Sequence, residues 1–174
     1  MAYPTAAQLK FVATDQWMGQ QTLMSTSTTQ AHPLGTLTKG IDTGTLQYGP
    51  VTCIYLKGVA DTAAGSVVQY DAKAGTTTLT TASTVGPVAV ALSANVASQY
   101  GWYVVVGNAP VATASAGTGA ANAWLKQSAT PGTLTVSGTT AIKVDGAVCK
   151  TAQDTPTSGF TQVLLTWPAN NGNT

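Results

Sequence analysis

From Val51 onward, apolar residues fall in short runs separated by glycine, proline and aspartate, which is the pattern of strands joined by tight turns. Two of these runs, 87–92 and 102–106, are continuously apolar, which favours strands buried on both faces. The predicted strands are 52–59, 67–70, 76–81, 87–92, 102–106, 109–114, 123–127, 133–136, 142–148 and 162–167. Many short strands with no long helical pattern between them predict an all-β barrel or sandwich over residues 51–174.

The first 50 residues carry a different pattern. A spacing of four residues separates Leu9, Ala13 and Trp17, which predicts a short helix within residues 6–24. Residues 22–49 are mostly Thr, Gly, Ser and Gln, with few large apolar side chains. We therefore expect residues 1–50 to form an extended N-terminal arm with little core of its own.

A weak internal similarity joins two parts of the β region. The run GTTTLT at 75–80 resembles PGTLT at 131–135, and strands 67–70 and 124–127 then match at the same offset of about 57 residues. Strands 87–92 and 102–106 would fall near 144–149 and 162–166. Coincidence in so biased a composition and a true duplication both remain open at this point; a duplication would have two halves wrapping one barrel.

The composition narrows the classes of function. Among 174 residues there are 31 Thr, seven Lys and six Asp, no Arg and no Glu, and the net charge is +1. A chain without a guanidinium fork or a basic field is not expected to bind nucleic acid. Its apolar runs are also too short for a membrane-spanning helix, and its start lacks the pattern of a secretory signal.

So few charges leave two explanations for solubility. Either a Thr-rich exterior keeps the chain in solution alone, or much of its surface is covered in an assembly. We favour the assembly, because surfaces near zero net charge tend to associate.

The ionisable residues do not form a recognisable active site. His32 is the single histidine, and we expect it to be an exposed arm residue rather than a general base. The aspartates are spaced too widely for a local metal site, and Asp61, Asp71 and Asp145 are expected to cap turns. The sequence therefore predicts no enzyme activity, no cofactor and no metal.

The cysteines and aromatic residues favour packing over chemistry. Cys53 and Cys149 lie in strand-like runs, and we expect buried small side chains, with a mutual disulfide as the alternative. Tyr100 and Trp102 should share one face of a strand while Tyr103 points to the other. A sugar-binding platform is the alternative for these rings, but core or interface packing fits better.

Several strand and turn motifs are similar to those of known phage proteins. They are PLGT at 33–36, YLKGVADT at 55–62, GSVVQYD at 65–71, GPVAVA at 86–91 and QYGW at 99–102. Together, over about residues 33–112, the chain resembles capsid decoration (cement) proteins of tailed bacteriophages, of the small β-tulip or β-barrel kind.

This resemblance implies a structural virion protein made in the host cytoplasm and bound to the outer surface of the major capsid protein lattice. It implies homotrimers and a terminal arm that reaches across capsid subunits, and it carries over no catalytic residue. Leu34, Leu37 and Ile41 are then the expected capsid or subunit contacts, because no local core claims them. The alternative is another phage structural β domain, such as a head fibre base, a tail-tube component or an adhesin-like part.

Overall fold

The structure is a computed structural model that describes residues 6–16, 18, 22–112, 121–136, 143–150 and 160–170. In these ranges it contains strands and one short 3-10 turn, Ala6–Gln8, but no α-helix. The strands are β1 Phe11–Ala13, β2 Leu37–Asp42, β3 Pro50–Lys57, β4 Val67–Tyr70, β5 Thr77–Leu79, β6 Gly86–Ala91, β7 Tyr100–Val111, β8 Leu125–Gln127, β9 Leu134–Val136, β10 Val144–Cys149 and β11 Thr161–Asn170. The all-β prediction is confirmed.

Nine strands form one antiparallel sheet that curls into a half-barrel. Its order is β1-β2-β3-β7-β11-β6-β4-β5, and β10 pairs with β11 beside this path. Strands β8 and β9 form a separate two-stranded hairpin. The barrel-like architecture expected from the short, turn-separated runs is therefore what the sheet adopts.

Strand β7 is the junction of the sheet. It pairs with β3, with β6 and with β11, and its register against β3 shifts between Thr52 and Cys53. The sequence predicted two strands here, 102–106 and 109–114, but a single strand runs from Tyr100 to Val111. The strand continues through Gly107 because glycine adopts the left-handed φ of +101° found there without steric cost.

Apolar residues are buried on both faces of the curled sheet. The larger core lies on the face that includes Trp102 and Val104, and the hairpin β8-β9 and the N-terminal segment add to it. The smaller core lies on the opposite face, around Leu56 and Tyr103. The predicted separation of Trp102 and Tyr103 onto opposite faces is confirmed.

The curl itself covers the smaller core. At one end, Lys57 of β3 forms a β-bridge with Thr76, and the hydroxyl of Thr77 donates to the carbonyl of Lys57 over 2.8 Å. Across this core the amide of the buried Asn95 donates to the hydroxyl of Tyr103 over 2.7 Å. The end of β3 thus meets the start of β5, which helps to explain how Leu56 and Tyr103 are fully buried.

The boundary expected at residue 50 does not divide the described structure into an arm and a domain. β1 pairs with β2 and β2 pairs with β3, so the segment belongs to the main sheet. Phe11, Leu23 and Tyr48 are almost fully buried in the larger core. A few well-spaced apolar side chains are enough to anchor this segment, because the strands on which it packs supply the rest of the core.

The short helix predicted within residues 6–24 is wrong for the described residues. The chain makes one 3-10 turn at Ala6–Gln8 and then enters β1, where Phe11 and Ala13 point into the core at a spacing of two. Pairing with β2 overrides the spacing of four that suggested a helix. The third residue of that pattern, Trp17, lies outside the described residues.

We predict that Phe11→Ala lowers the free energy of unfolding by about 3–5 kcal/mol, because it empties a fully buried ring position next to Tyr48, whose ring centroid lies 5.8 Å away. Urea unfolding followed by tryptophan fluorescence measures the change. Leu46→Ala is the matched control, since Leu46 is 78% exposed, and it should change stability little. Equal stability of Phe11→Ala and the unaltered protein would contradict the burial of this segment.

Candidate contact surface

The strand β2 presents apolar side chains to the outside. Its residues alternate between exposed and buried, so that Leu37, Lys39 and Ile41 point outward. Leu37 is 45% exposed and Ile41 is 39% exposed, whereas Thr38 and Asp42 are buried. Two of the three predicted contact residues thus share one exposed face.

This face continues across the neighbouring strands. Ile41 lies opposite Pro50, Lys39 lies opposite Thr52, and Val106 of β7 lies between Thr52 and Thr166. We call the following set the outer face: Leu37, Lys39, Ile41, Pro50, Thr52, Val106, Leu164 and Thr166. Within this set Lys39 is the one charged residue, so recognition here would depend on shape and apolar contact.

Two open grooves flank Ile41. One, of about 540 Å³, runs along β1 and is lined by Lys10, Val12 and Asp15 among others. The second, of about 410 Å³, lies between β2 and β3, where Pro50, Thr52 and Val106 line it. Ile41 lines both grooves.

Leu34, the third predicted contact residue, does not join the outer face. It is half-buried and packs against the larger core. Its side chain lies over Gly75, in the turn between β4 and β5, so closely that a Cβ added at Gly75 would come within 2.5 Å of it. Leu34 holds its own chain segment onto the sheet.

Directly behind Ile41, the buried carboxylate of Asp42 organises the loop 42–49. One carboxylate oxygen accepts hydrogen bonds from the backbone N–H groups of Gly44 and Thr45 at 3.0 and 3.2 Å. The other accepts from the Thr45 hydroxyl at 2.5 Å and from the backbone N–H groups of Gln47 and Tyr48 at 3.1 and 3.3 Å. Burial opposes ionisation of Asp42, but these hydrogen bonds outweigh it and lower its pKa.

Other aspartates divide between turns and strands. Asp71 accepts hydrogen bonds from the backbone N–H groups of Lys73 and Ala74 at 2.7 and 2.8 Å, which confirms that it caps a turn. These hydrogen bonds also lower the pKa of its carboxyl group. Asp61 adopts a left-handed turn conformation with φ of +63°. Asp145 instead lies within β10 and forms a half-buried ion pair with Lys143 at 3.3 Å, so the turn prediction is wrong for it.

His32 is half-buried in an aromatic cluster, and the prediction of an exposed arm residue is wrong. Its ring meets Tyr55 edge to face at a centroid distance of 5.1 Å and lies 5.4 Å from the ring of Trp102. Tyr55 stacks on Tyr100 at 6.3 Å, and its hydroxyl accepts the backbone N–H of Ala31. The ring of His32 therefore helps hold the segment before β2 against the sheet.

No constellation for metal binding is found in the described ranges, where no three His, Cys, Asp or Glu side chains come together. Cys53 and Cys149 are both buried thiols, in agreement with the packing role expected for them. Burial raises the pKa of each thiol and so opposes formation of a nucleophilic thiolate. The described part of the chain also contains no helix that could span a bilayer.

Sequence reasoning missed an apolar row on β11, β10 and the residue that precedes β8. Leu164, 42% exposed, lies opposite Val148, and Val148 bridges to Trp124, which is 38% exposed. The ammonium of Lys143 sits 4.2 Å from the ring centre of Trp124. The consecutive leucines 164 and 165 indicated this exposed apolar residue, because only one of two neighbouring strand residues can face the core.

We predict that Asp42→Asn destabilises the protein by about 1–3 kcal/mol near neutral pH, because an amide NH₂ would face several N–H donors. Asp61→Asn is the matched control, since an exposed residue with positive φ tolerates asparagine. The carboxylate's lowered pKa means that its contribution is complete above the ordinary pKa of about 3.9 and is lost as the pH falls below it. Urea unfolding between pH 2.5 and 7 should therefore show a smaller acid loss for Asp42→Asn than for the unaltered protein; identical pH profiles would contradict this role.

Comparison of the chain with protein-family models, with curated proteins and with solved structures finds no match.

Proposed function

We propose that this protein is a structural virion component, a capsid decoration protein that binds the outer surface of a phage major capsid protein lattice and stabilises the head. The observation that carries the proposal is the outer face, a continuous sheet surface with exposed apolar side chains and a single lysine. The strand and turn motifs at 33–112 support the same assignment through their resemblance to cement proteins.

Attachment would depend on buried area rather than on charge. Exposed Leu37, Ile41 and Leu164 provide apolar surface, and the grooves beside Ile41 provide relief for shape complementarity. A specific contact needs roughly 1,000 Å² of buried surface in total. Many copies on one lattice would then multiply a modest affinity of each contact.

The rigidity of the sheet suits a clamping role. Ile41 is held in a strand that is paired on both sides, and the loop that follows it is fixed by Asp42. A pre-organised surface loses little conformational entropy when it binds. Association of copies as trimers, which the resemblance implies, would hold several such surfaces over one group of capsid subunits.

We predict that Ile41→Asp weakens binding to heads at least about tenfold, because it places a charge in the centre of an apolar contact. Cosedimentation with expanded heads that lack the protein measures binding, and circular dichroism verifies folding. Val85→Asp is the matched control: Val85 is 57% exposed on the connection between β5 and β6, outside the outer face. Unchanged binding by folded Ile41→Asp would show that the attachment site lies outside the outer face. Failure of the unaltered protein to bind heads would overturn the proposed function itself.

Binding should also be insensitive to salt. We expect the affinity for heads to change less than about threefold between 50 and 500 mM NaCl, because few charges are available to be screened. A steep loss of affinity with rising salt would contradict attachment through the outer face.

Copy number separates decoration from the alternative phage roles. A decoration protein covers the lattice and should be present in hundreds of copies on the head. A head fibre base, tail-tube component or adhesin-like part would be present in few copies or in a stack along the tail. Quantitative protein analysis of virions together with electron microscopy distinguishes these outcomes.

A further inference from the structure

The hairpins β4-β5 and β8-β9 have the same register. Val68 lies opposite Leu79 in the first hairpin, and Leu125 lies opposite Val136 in the second. Each residue of the first pair stands 57 positions before its counterpart, and the other two pairs of each hairpin keep the same offset. The faint similarity in the sequence thus coincides with identical strand pairing.

The turns of the two hairpins are closed in the same way. Asp71 accepts the backbone N–H of Lys73 at 2.7 Å, and Ser128, 57 positions later, accepts that of Thr130 at 3.0 Å through its hydroxyl. Asp71 also donates its N–H to the carbonyl of Thr76, as Ser128 does to that of Thr133. Both turns end on a glycine with positive φ, Gly75 at +66° and Gly132 at +73°.

The entry into each hairpin is equivalent as well. Gly65 and Asn122 both adopt left-handed conformations, with φ of +82° and +69°. Gly65 donates its N–H to the carbonyl of Ala91 at 2.8 Å, and Asn122 donates to that of Cys149 at 2.7 Å. Asparagine is the residue after glycine that best tolerates this conformation, so an unusual backbone is kept at both positions.

The strands that follow repeat the arrangement. β6 pairs with β7 and β10 pairs with β11, and just past these pairs Leu92 donates to the Trp102 carbonyl as Lys150 donates to that of Gln162. In these strands, corresponding residues of the two parts are separated by more than 57 positions. A register shift beside Gly146, between Asp145 and Ala147 of β10, accounts for part of the larger separation. In each case the last strand also pairs with the strand that precedes the hairpin: β7 with β3, and β11 with β7.

From these correspondences we infer that the chain from β3 onward contains two related copies of one five-stranded unit that share β7. They differ in one contact: β4 pairs with β6 over three residues, whereas the single bridge between Trp124 and Val148 takes the place of this pairing in the second unit. The first unit is β3-β4-β5-β6-β7 and the second is β7-β8-β9-β10-β11. A single hairpin type could recur independently. Here three separate features recur at one offset, namely the strand register, the side-chain cap of the turn and two left-handed backbone positions, and independent recurrence does not explain all three together. The shared strand explains why β7 is long enough to pair with β3, β6 and β11.

The same inference gives the N-terminal segment a role as a cap. In the second unit, the turn glycine Gly132 is covered by Leu79 and Ser66 of the first unit, with the Leu79 methyl 2.9 Å from where a Cβ would lie. In the first unit, Leu34 of the N-terminal segment covers the corresponding Gly75. Tandem units generally need such a terminal cap, because each buries its open end against a neighbour.

An exchange of the two turns tests the equivalence, independently of the proposed function. The turns are DAKAGT at 71–76 and SATPGT at 128–133, so the triple variant Asp71→Ser, Lys73→Thr, Ala74→Pro converts the first into the second. The reciprocal variant is Ser128→Asp, Thr130→Lys, Pro131→Ala. We expect both to fold, with thermal midpoints within about 4 °C of the unaltered protein.

The matched control carries the same six residues one position later, as SATPGT at 72–77. It places proline at Gly75, whose φ of +66° proline cannot adopt, and should lower the midpoint by about 10 °C or more, or abolish the cooperative transition. Two results would overturn the inference: an in-register exchange as damaging as the displaced one, or a displaced turn tolerated as well as the in-register one.

Discussion

The architecture depends on the way β7 changes partners along its length. A twelve-residue strand in a flat sheet would keep two neighbours, but β7 pairs with β3, β6 and β11. The register shift opposite Thr52 and Cys53 and the left-handed Gly107 let the strand bend where the partner on one side is replaced. A Cβ at Gly107 would lie 2.6 Å from the carbonyl of Pro50, so the close approach of β3 also requires glycine. The curl, the two buried faces and the meeting of β3 with β5 follow from this bend.

A chain with thirteen charged residues has few ways to fix its loops, and it uses its aspartates for that purpose. Asp42 and Asp71 close loops on backbone N–H groups, and Asp15 accepts the Thr38 hydroxyl and the Lys39 N–H at 2.8 Å each. A carboxylate that accepts several N–H groups stabilises a loop more than a surface ion pair does. Three of the six aspartates therefore fix local geometry, and Lys39 is the one charged residue of the outer face.

The sequence predicts the structure better after residue 50 than before it. Strand β4 was predicted with its exact bounds and β6 to within one residue, because apolar runs between turn residues are a local signal. β2 was missed because its pattern is inverted: Leu37 and Ile41 face outward while Thr38, Gly40 and Asp42 face the core. The position of His32 was missed for a related reason, since its aromatic neighbours Tyr55 and Trp102 are distant in sequence and only the folded sheet brings them to it.

The inverted pattern of β2, with apolar residues outward and polar residues inward, bears on the proposed attachment. Gly40 leaves room on the core side for Leu23, and the buried Thr38 and Asp42 satisfy hydrogen bonds there, so the inward face of β2 is already complete. The fold consequently gains little from leucine and isoleucine on the outward face, where polar residues would pair equally well in the strand. Apolar side chains exposed on a strand lower the solubility of a nearly neutral protein. A partner surface that covered Leu37 and Ile41 would offset this cost, which is the physical reason to place the proposed attachment on β2 rather than on a free N-terminal arm.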